Sequence, residues 1–161
     1  MRQIKELKYG WKFKLGDFPE SINIDFDDSE WEEVKIPHDW AIKGLFNPEN
    51  DKRVIKKKEN GIEKEIYLTG VTGGLPHVGK GWYRIKINLS DILDKRIRIE
   101  FDGVMSNSKI YCNGKYVGEW PYGYSSFAFD ISDFIKAGEN FIVVSVDNKP
   151  NASRWYPGAG I

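Results

Sequence analysis

Cysteine is almost missing from this 161-residue chain: the single thiol, Cys112, has no second cysteine to pair with, and its place in an apolar stretch marks it as buried and inert rather than nucleophilic. An excess of charge of either sign is missing as well. Lys and Arg number 24 and Asp and Glu number 24, whereas a nucleic-acid binder would carry a basic surplus to displace counterions, so no nucleic-acid partner is expected. No run of about 18 uncharged apolar residues occurs, and the opening MRQIKELKYGWKFKLGDFPE carries a charge every few positions, so neither a membrane span nor a secretion signal is expected. Histidine is scarce. His38 and His77 stand without a cluster of thiols and carboxylates around them, and no metal or other cofactor is expected.

Helical periodicity is also rare, and period-two alternation takes its place. Tyr83, Ile85, Ile87 and Leu89 are set against Arg84, Lys86 and Asn88, and Ile97, Ile99 and Phe101 against Arg98, Glu100 and Asp102, which is the pattern of half-buried strands. Asn113-Gly114 separates two further apolar runs and supplies the two positive-φ residues of a type I′ hairpin turn. Phe127, Phe129 and Ile131 alternate again, while 141–146 is nearly all apolar and β-branched, as befits a central strand covered on both faces. The expected fold is therefore all-β, one domain over 1–161 made of two packed antiparallel sheets. Short helical turns over 27–32 and 133–137 are the expected exceptions. A long charged insertion loop is expected at about 47–80, where the lysines at 56, 57 and 58 lie among glutamates and read as a solvated face rather than an anion site.

What is abundant is aromatic surface: 14% of residues, six of them Trp. Flat rings with a polar edge suit both a sandwich core and the apolar face of a sugar. Five segments, WEEVKIPHDW (31–40), GWYR (81–84), FDGVMSNSKIYCNG (101–114), YGYSSFAF (122–129) and SRWYPGAGI (153–161), occur together in an order that resembles the amino-terminal sugar-binding domain of glycoside hydrolase family 2, above all its bacterial β-galactosidases. The resemblance implies a jelly-roll sandwich. It also implies an immunoglobulin-like domain and a (β/α)8 barrel with two catalytic glutamates as partners in the same parent chain, a β-galactoside-type carbohydrate as ligand, a homo-oligomeric parent and, with one thiol and no leader, a cytoplasmic bacterial home. Retaining hydrolysis needs two carboxyl groups about 5–5.5 Å apart. No such pair stands out here, so no catalytic residue is assigned, and the chain is read as an inactive fragment of a hydrolase.

The loop over 147–158 joins polar donors to adjacent aromatics. A guanidinium can donate paired hydrogen bonds to vicinal hydroxyls, and an indole can stack on a sugar ring. By the resemblance this loop reaches the sugar being cleaved, a role carried first onto Arg154 and then onto Asn151, Ser153 and Trp155; in some family members the position of Arg154 is an aspartate. A second reading stands beside it, in which Arg154 pairs with an acidic group of the barrel and Trp155 seals the junction. Trp40, His38 and Tyr156 are assigned to the domain interface. His38 and Asp39 are chain neighbours that point to opposite faces of a strand, so they are read as structural rather than as a dyad. Trp120, Tyr122 and Tyr124 form another aromatic group, assigned to core or interface packing, and 101–103 is read as a strand end and turn. The rival functions are a stand-alone lectin-like carbohydrate-binding module and a purely structural interaction domain.

Overall fold

The alternation over 83–89 becomes one of two eleven-residue strands that lie side by side at the centre of the largest sheet. The computed structural model describes residues 3–44, 53–68, 79–148 and 158–161. In chain order the strands are β1 (Trp11–Leu15), β2 (Glu32–Val34), β3 (Arg53–Glu59), β4 (Ile62–Leu68), β5 (Gly79–Leu89), β6 (Arg98–Phe101), β7 (Ser108–Cys112), β8 (Lys115–Trp120), β9 (Phe127–Asp130) and β10 (Gly138–Asn148). Six of them form a sheet in the order β2-β1-β5-β10-β7-β8, and β6 pairs with β9 in a second, smaller sheet. All the pairings are antiparallel. The expected all-β sandwich is what forms.

Side-chain alternation sorts the core. Trp11 and Phe13 of β1, Tyr83 and Ile85 of β5, Ile142 and Val144 of β10 and Ile110 of β7 line the inner face of the large sheet, packing with Ile99, Phe101 and Phe127 of the small one. Cys112 is fully buried there, and desolvation pushes its thiol up to about 11, in line with the inert thiol expected. β10 is central and covered on both faces: Val143, on the outer face, packs with Trp31 and Trp82 beneath Phe18, Ile22 and Phe26.

Three expectations need correction. Arg84 does lie on the face opposite Tyr83 and Ile85, but it is 1% exposed rather than solvated. Its guanidinium donates to Asp28 Oδ2 at 2.8 Å and to the carbonyls of Ser21, Asn23 and Ile24 at 2.8–2.9 Å, with the Phe141 ring 4.3 Å beneath it. The helical turns form elsewhere than expected, as 3-10 turns at Pro19–Ile22 and Ala41–Lys43; 27–32 and 133–137 contain no helix. The charged stretch is not all loop. Residues 53–68 make a hairpin whose turn, Asn60-Gly61, has both φ angles positive, at 52° and 82°. Charges on both of its faces mask the alternation, yet Lys56 opposes Glu65 and Lys58 opposes Glu63 across the strands, which favours pairing.

Candidate functional site

Asn151, Ser153, Arg154, Trp155 and Tyr156, together with His77, lie outside the described residues. What the structure describes is the base from which the 149–157 segment springs. On one side β10 ends at Asn148, 2% exposed, whose Nδ2 donates to Gly158 O at 3.3 Å. On the other, Gly158 to Ile161 lies as a rung between two other segments. His38 N–H donates to Ile161 O at 2.6 Å and Trp40 N–H to Ala159 O at 2.9 Å, while on the opposite edge Met105 and Gly160 exchange backbone hydrogen bonds of 2.9 and 3.1 Å.

Glycine is required at this rung. Gly160 has φ +140°, and a Cβ there would fall 2.0 Å from the carbonyl oxygen of His38, so no side chain is accommodated. Asp39 secures the same rung: its Oδ1 accepts from Ala159 N at 2.9 Å and from Ala41 N at 2.9 Å. Segment 105–107 secures the β10 side. Asp147 N–H donates to Ser106 O at 2.9 Å, and Asn107 Nδ2 donates to Asp147 O at 3.0 Å. Met105-Ser106 and Ile36-Pro37 are both cis peptides, and Asn107 has φ 46°.

Behind the rung, His38 Nδ1 and Tyr83 OH are hydrogen-bonded at 2.8 Å, and the Phe13 ring meets the imidazole at 4.8 Å. Burial, reinforced by the Lys43 charge, lowers the His38 pKa from its ordinary value, and burial raises that of Tyr83. Both groups are held neutral at pH 7. His38 and Asp39 contact different partners and form no dyad, as their alternation implied. Trp40, 3% exposed, stacks on Phe13 at 5.4 Å. The structure thus places both His38 and Trp40 in the interior of the domain, where contacts within it account for their burial. Of the other aromatic group, Trp120 stacks on Phe127 at 5.7 Å, but Tyr122 and Tyr124 are 55% and 47% exposed, so core packing is corrected for these two. The 101–103 stretch is the strand end and bend expected.

Among the described residues the arrangement is a clamp on both flanks of the 149–157 segment, and the clamp itself contains no nucleophile paired with an acid or base. Sequence reasoning picked out the loop and 37–40 but gave 105–107 no role. Residues 105–107 lie in the 101–114 segment that carries the family resemblance, and Asn107 is a residue type suited to positive φ.

Residues 4–161 match the family described as glycosyl hydrolases family 2, sugar binding domain. The β-galactosidase BoGH2A of Bacteroides ovatus is 39% identical over 165 residues, covering 99% of this chain and 17% of that protein. A solved glycosyl hydrolase family 2 member from Bacteroides cellulosilyticus superposes with a TM-score of 0.79 at 32% identity, over 98% of this chain and 19% of that one. A Bacteroides uniformis β-glucuronidase does so with a TM-score of 0.73 at 27% identity, over 100% and 17%. The chain therefore spans less than a fifth of the length of these relatives.

Proposed function

Because the chain belongs to the sugar-binding domain family of the family 2 glycosyl hydrolases, we propose that it serves as the saccharide-side domain of a longer retaining β-galactosidase, with the 149–157 loop completing the substrate subsite. One observation carries this reading: both ends of the loop are pinned, by Asn148 and Asp147 on one side and by the Gly158–Ile161 rung on the other. A loop that only linked two elements would not need a glycine rung hydrogen-bonded along both edges. Fixing the base restricts the positions that the side chains at 151, 153, 154 and 155 can take, and so reduces the entropy lost when they close on a ligand.

In this reading Arg154 donates two parallel hydrogen bonds to adjacent sugar hydroxyls, and Trp155 lies against the ring. The catalytic carboxylates belong to a barrel elsewhere in the parent. The galactoside preference rests on the β-galactosidase of Bacteroides ovatus at 39% identity. The clamp residues, His38 and Asp39 among them, act as positioning residues. The test is Arg154→Ala in the full-length parent. Losing a charged hydrogen bond worth about 1.5–3 kcal/mol lowers kcat/KM on a β-galactoside by roughly 10–150-fold; an unchanged kcat/KM removes Arg154 from substrate recognition.

A further inference from the structure

The clamp has a titratable group built into it, which the loop reading uses only as a fixed support. His38 serves the rung through its backbone: its N–H donates to Ile161 O at 2.6 Å, and its carbonyl oxygen lies against Gly160, where a Cβ would come within 2.0 Å. Its side chain closes the same joint from behind. Nδ1 is 2.8 Å from Tyr83 OH, and that oxygen also abuts Gly160, 2.6 Å from where a Cβ would stand, with the Ile161 backbone as a further partner. The hydroxyl has one proton and two acceptors on His38, Nδ1 at 2.8 Å and the carbonyl oxygen at 3.5 Å. The shorter contact takes it, so Nδ1 accepts and Nε2 carries the ring proton. Nε2 is buried without a partner among the described residues.

A second ring proton has no place in this arrangement. On Nδ1 it would face the hydroxyl that now donates there, turning Tyr83 toward the 3.5 Å carbonyl. It would also leave a cation against the rings of Phe13 and Tyr83, with Nε2 still unpaired. The charged groups around the imidazole do not compensate it. Lys43 of the Ala41–Lys43 turn opposes the charge; Glu32 of β2 and Asp39 favour it, but Glu32 is bonded to Lys43 at 2.6 Å and Asp39 Oδ1 holds the backbone N–H groups of Ala41 and Ala159. Tyr83 of β5 is kept neutral by burial, and Phe13 of β1 and residues 158–161 carry no titratable side chain. A buried charge without a partner is costly, and a fold relieves it by letting the group reach water. Parting 158–161 from 38–40 breaks the bonds of His38 N to Ile161 O, Trp40 N to Ala159 O and Ala159 N to Asp39 Oδ1, far less than unfolding the sandwich. We propose that the clamp is an acid-sensitive latch: protonation of His38 releases the 158–161 rung from 38–40 while the sandwich stays folded. This concerns the latch itself and stands or falls apart from the sugar-binding reading of the 149–157 loop.

The test is amide hydrogen exchange of the 161-residue chain, read by NMR as protection factors at Trp40 and at Val144 of the central strand. Protection at Trp40 is expected to lie below that at Val144, because the rung opens locally. It should fall about three- to tenfold between about pH 7.5 and about pH 5.5, the ceiling being set by one imidazole whose pKa in the open state is about 6.5. His38→Asn keeps an acceptor oxygen near the place of Nδ1 but takes up no proton, and should abolish the fall. The His38 ring-carbon signal should titrate below about 6.5. Lys43→Met, a change at an exposed side chain, should raise that midpoint and shrink the fall. Trp40 protection equal to that at Val144, no fall in the unaltered chain, an equal fall in His38→Asn, or an imidazole midpoint at or above about 6.5 overturns the proposal.

Discussion

Arg84 shows how one side chain can organise a surface. Its fork ties the 19–28 segment to the outer face of β5 through one carboxylate and three carbonyls, a geometry that an ammonium cannot reproduce. Arg84→Met should lower stability by about 3 kcal/mol, read from urea unfolding followed by tryptophan emission, and Arg84→Lys should recover only part of it. His38 provides a pH dependence. Burial depresses its pKa in the fold, so the unfolded chain takes up its proton first. Its contribution is complete above the unfolded value of about 6.5 and is lost as pH falls through the lower folded value. Melting temperature should therefore decline on acidification from neutrality, and His38→Gln should flatten that first part of the decline. A variant with the same slope as the parent would assign the effect to other groups.

At the scale of elements, the two Asn-Gly hairpins carry the same turn chemistry in different settings. Asn113-Gly114 joins β7 to β8, and Asn113 is bonded into the core network: its Nδ2 donates to Asn140 Oδ1 at 2.8 Å, and its Oδ1 accepts from Phe141 N at 2.9 Å. Asn60-Gly61 closes the β3–β4 hairpin, which forms a separate two-stranded sheet with several apolar side chains exposed. A side chain at positive φ costs about 1–2 kcal/mol in either turn. Gly114→Ala should lower global stability by that amount, because the turn and the central strand unfold together. Gly61→Ala should leave the midpoint of denaturant unfolding nearly unchanged, since a lone hairpin is marginal and opens by itself. Equal losses in the two variants would mean that the β3–β4 hairpin is coupled to the sandwich.

At the scale of the molecule, the reading proposed above makes the chain a binding domain whose parent supplies the catalytic carboxylates. The carboxylates that the clamp and the core salt bridge use are already engaged, Asp39 by two backbone N–H groups and Asp28 by Arg84. The purified 161-residue chain should accordingly hydrolyse no chromogenic β-galactoside above a heat-killed control; measurable turnover would place a catalytic pair within it.

The sequence alone determined the strands from β5 to β10, the 113–114 turn, the central and doubly covered place of β10, the inert Cys112 and the family. All of these rest on local alternation, turn residues or motif order, which are written along the chain. Only the tertiary structure decided the rest. Arg84 follows the alternation of a solvated residue, and its burial depends on a segment some 60 positions away folding back over it. The 53–68 hairpin was hidden because charges on both faces erase the period-two signal. The clamp brings together 38–40, 105–107, 147–148 and 158–161, and no local pattern encodes contacts at such separations; they arise from the topology that brings strand ends to one edge of the sandwich.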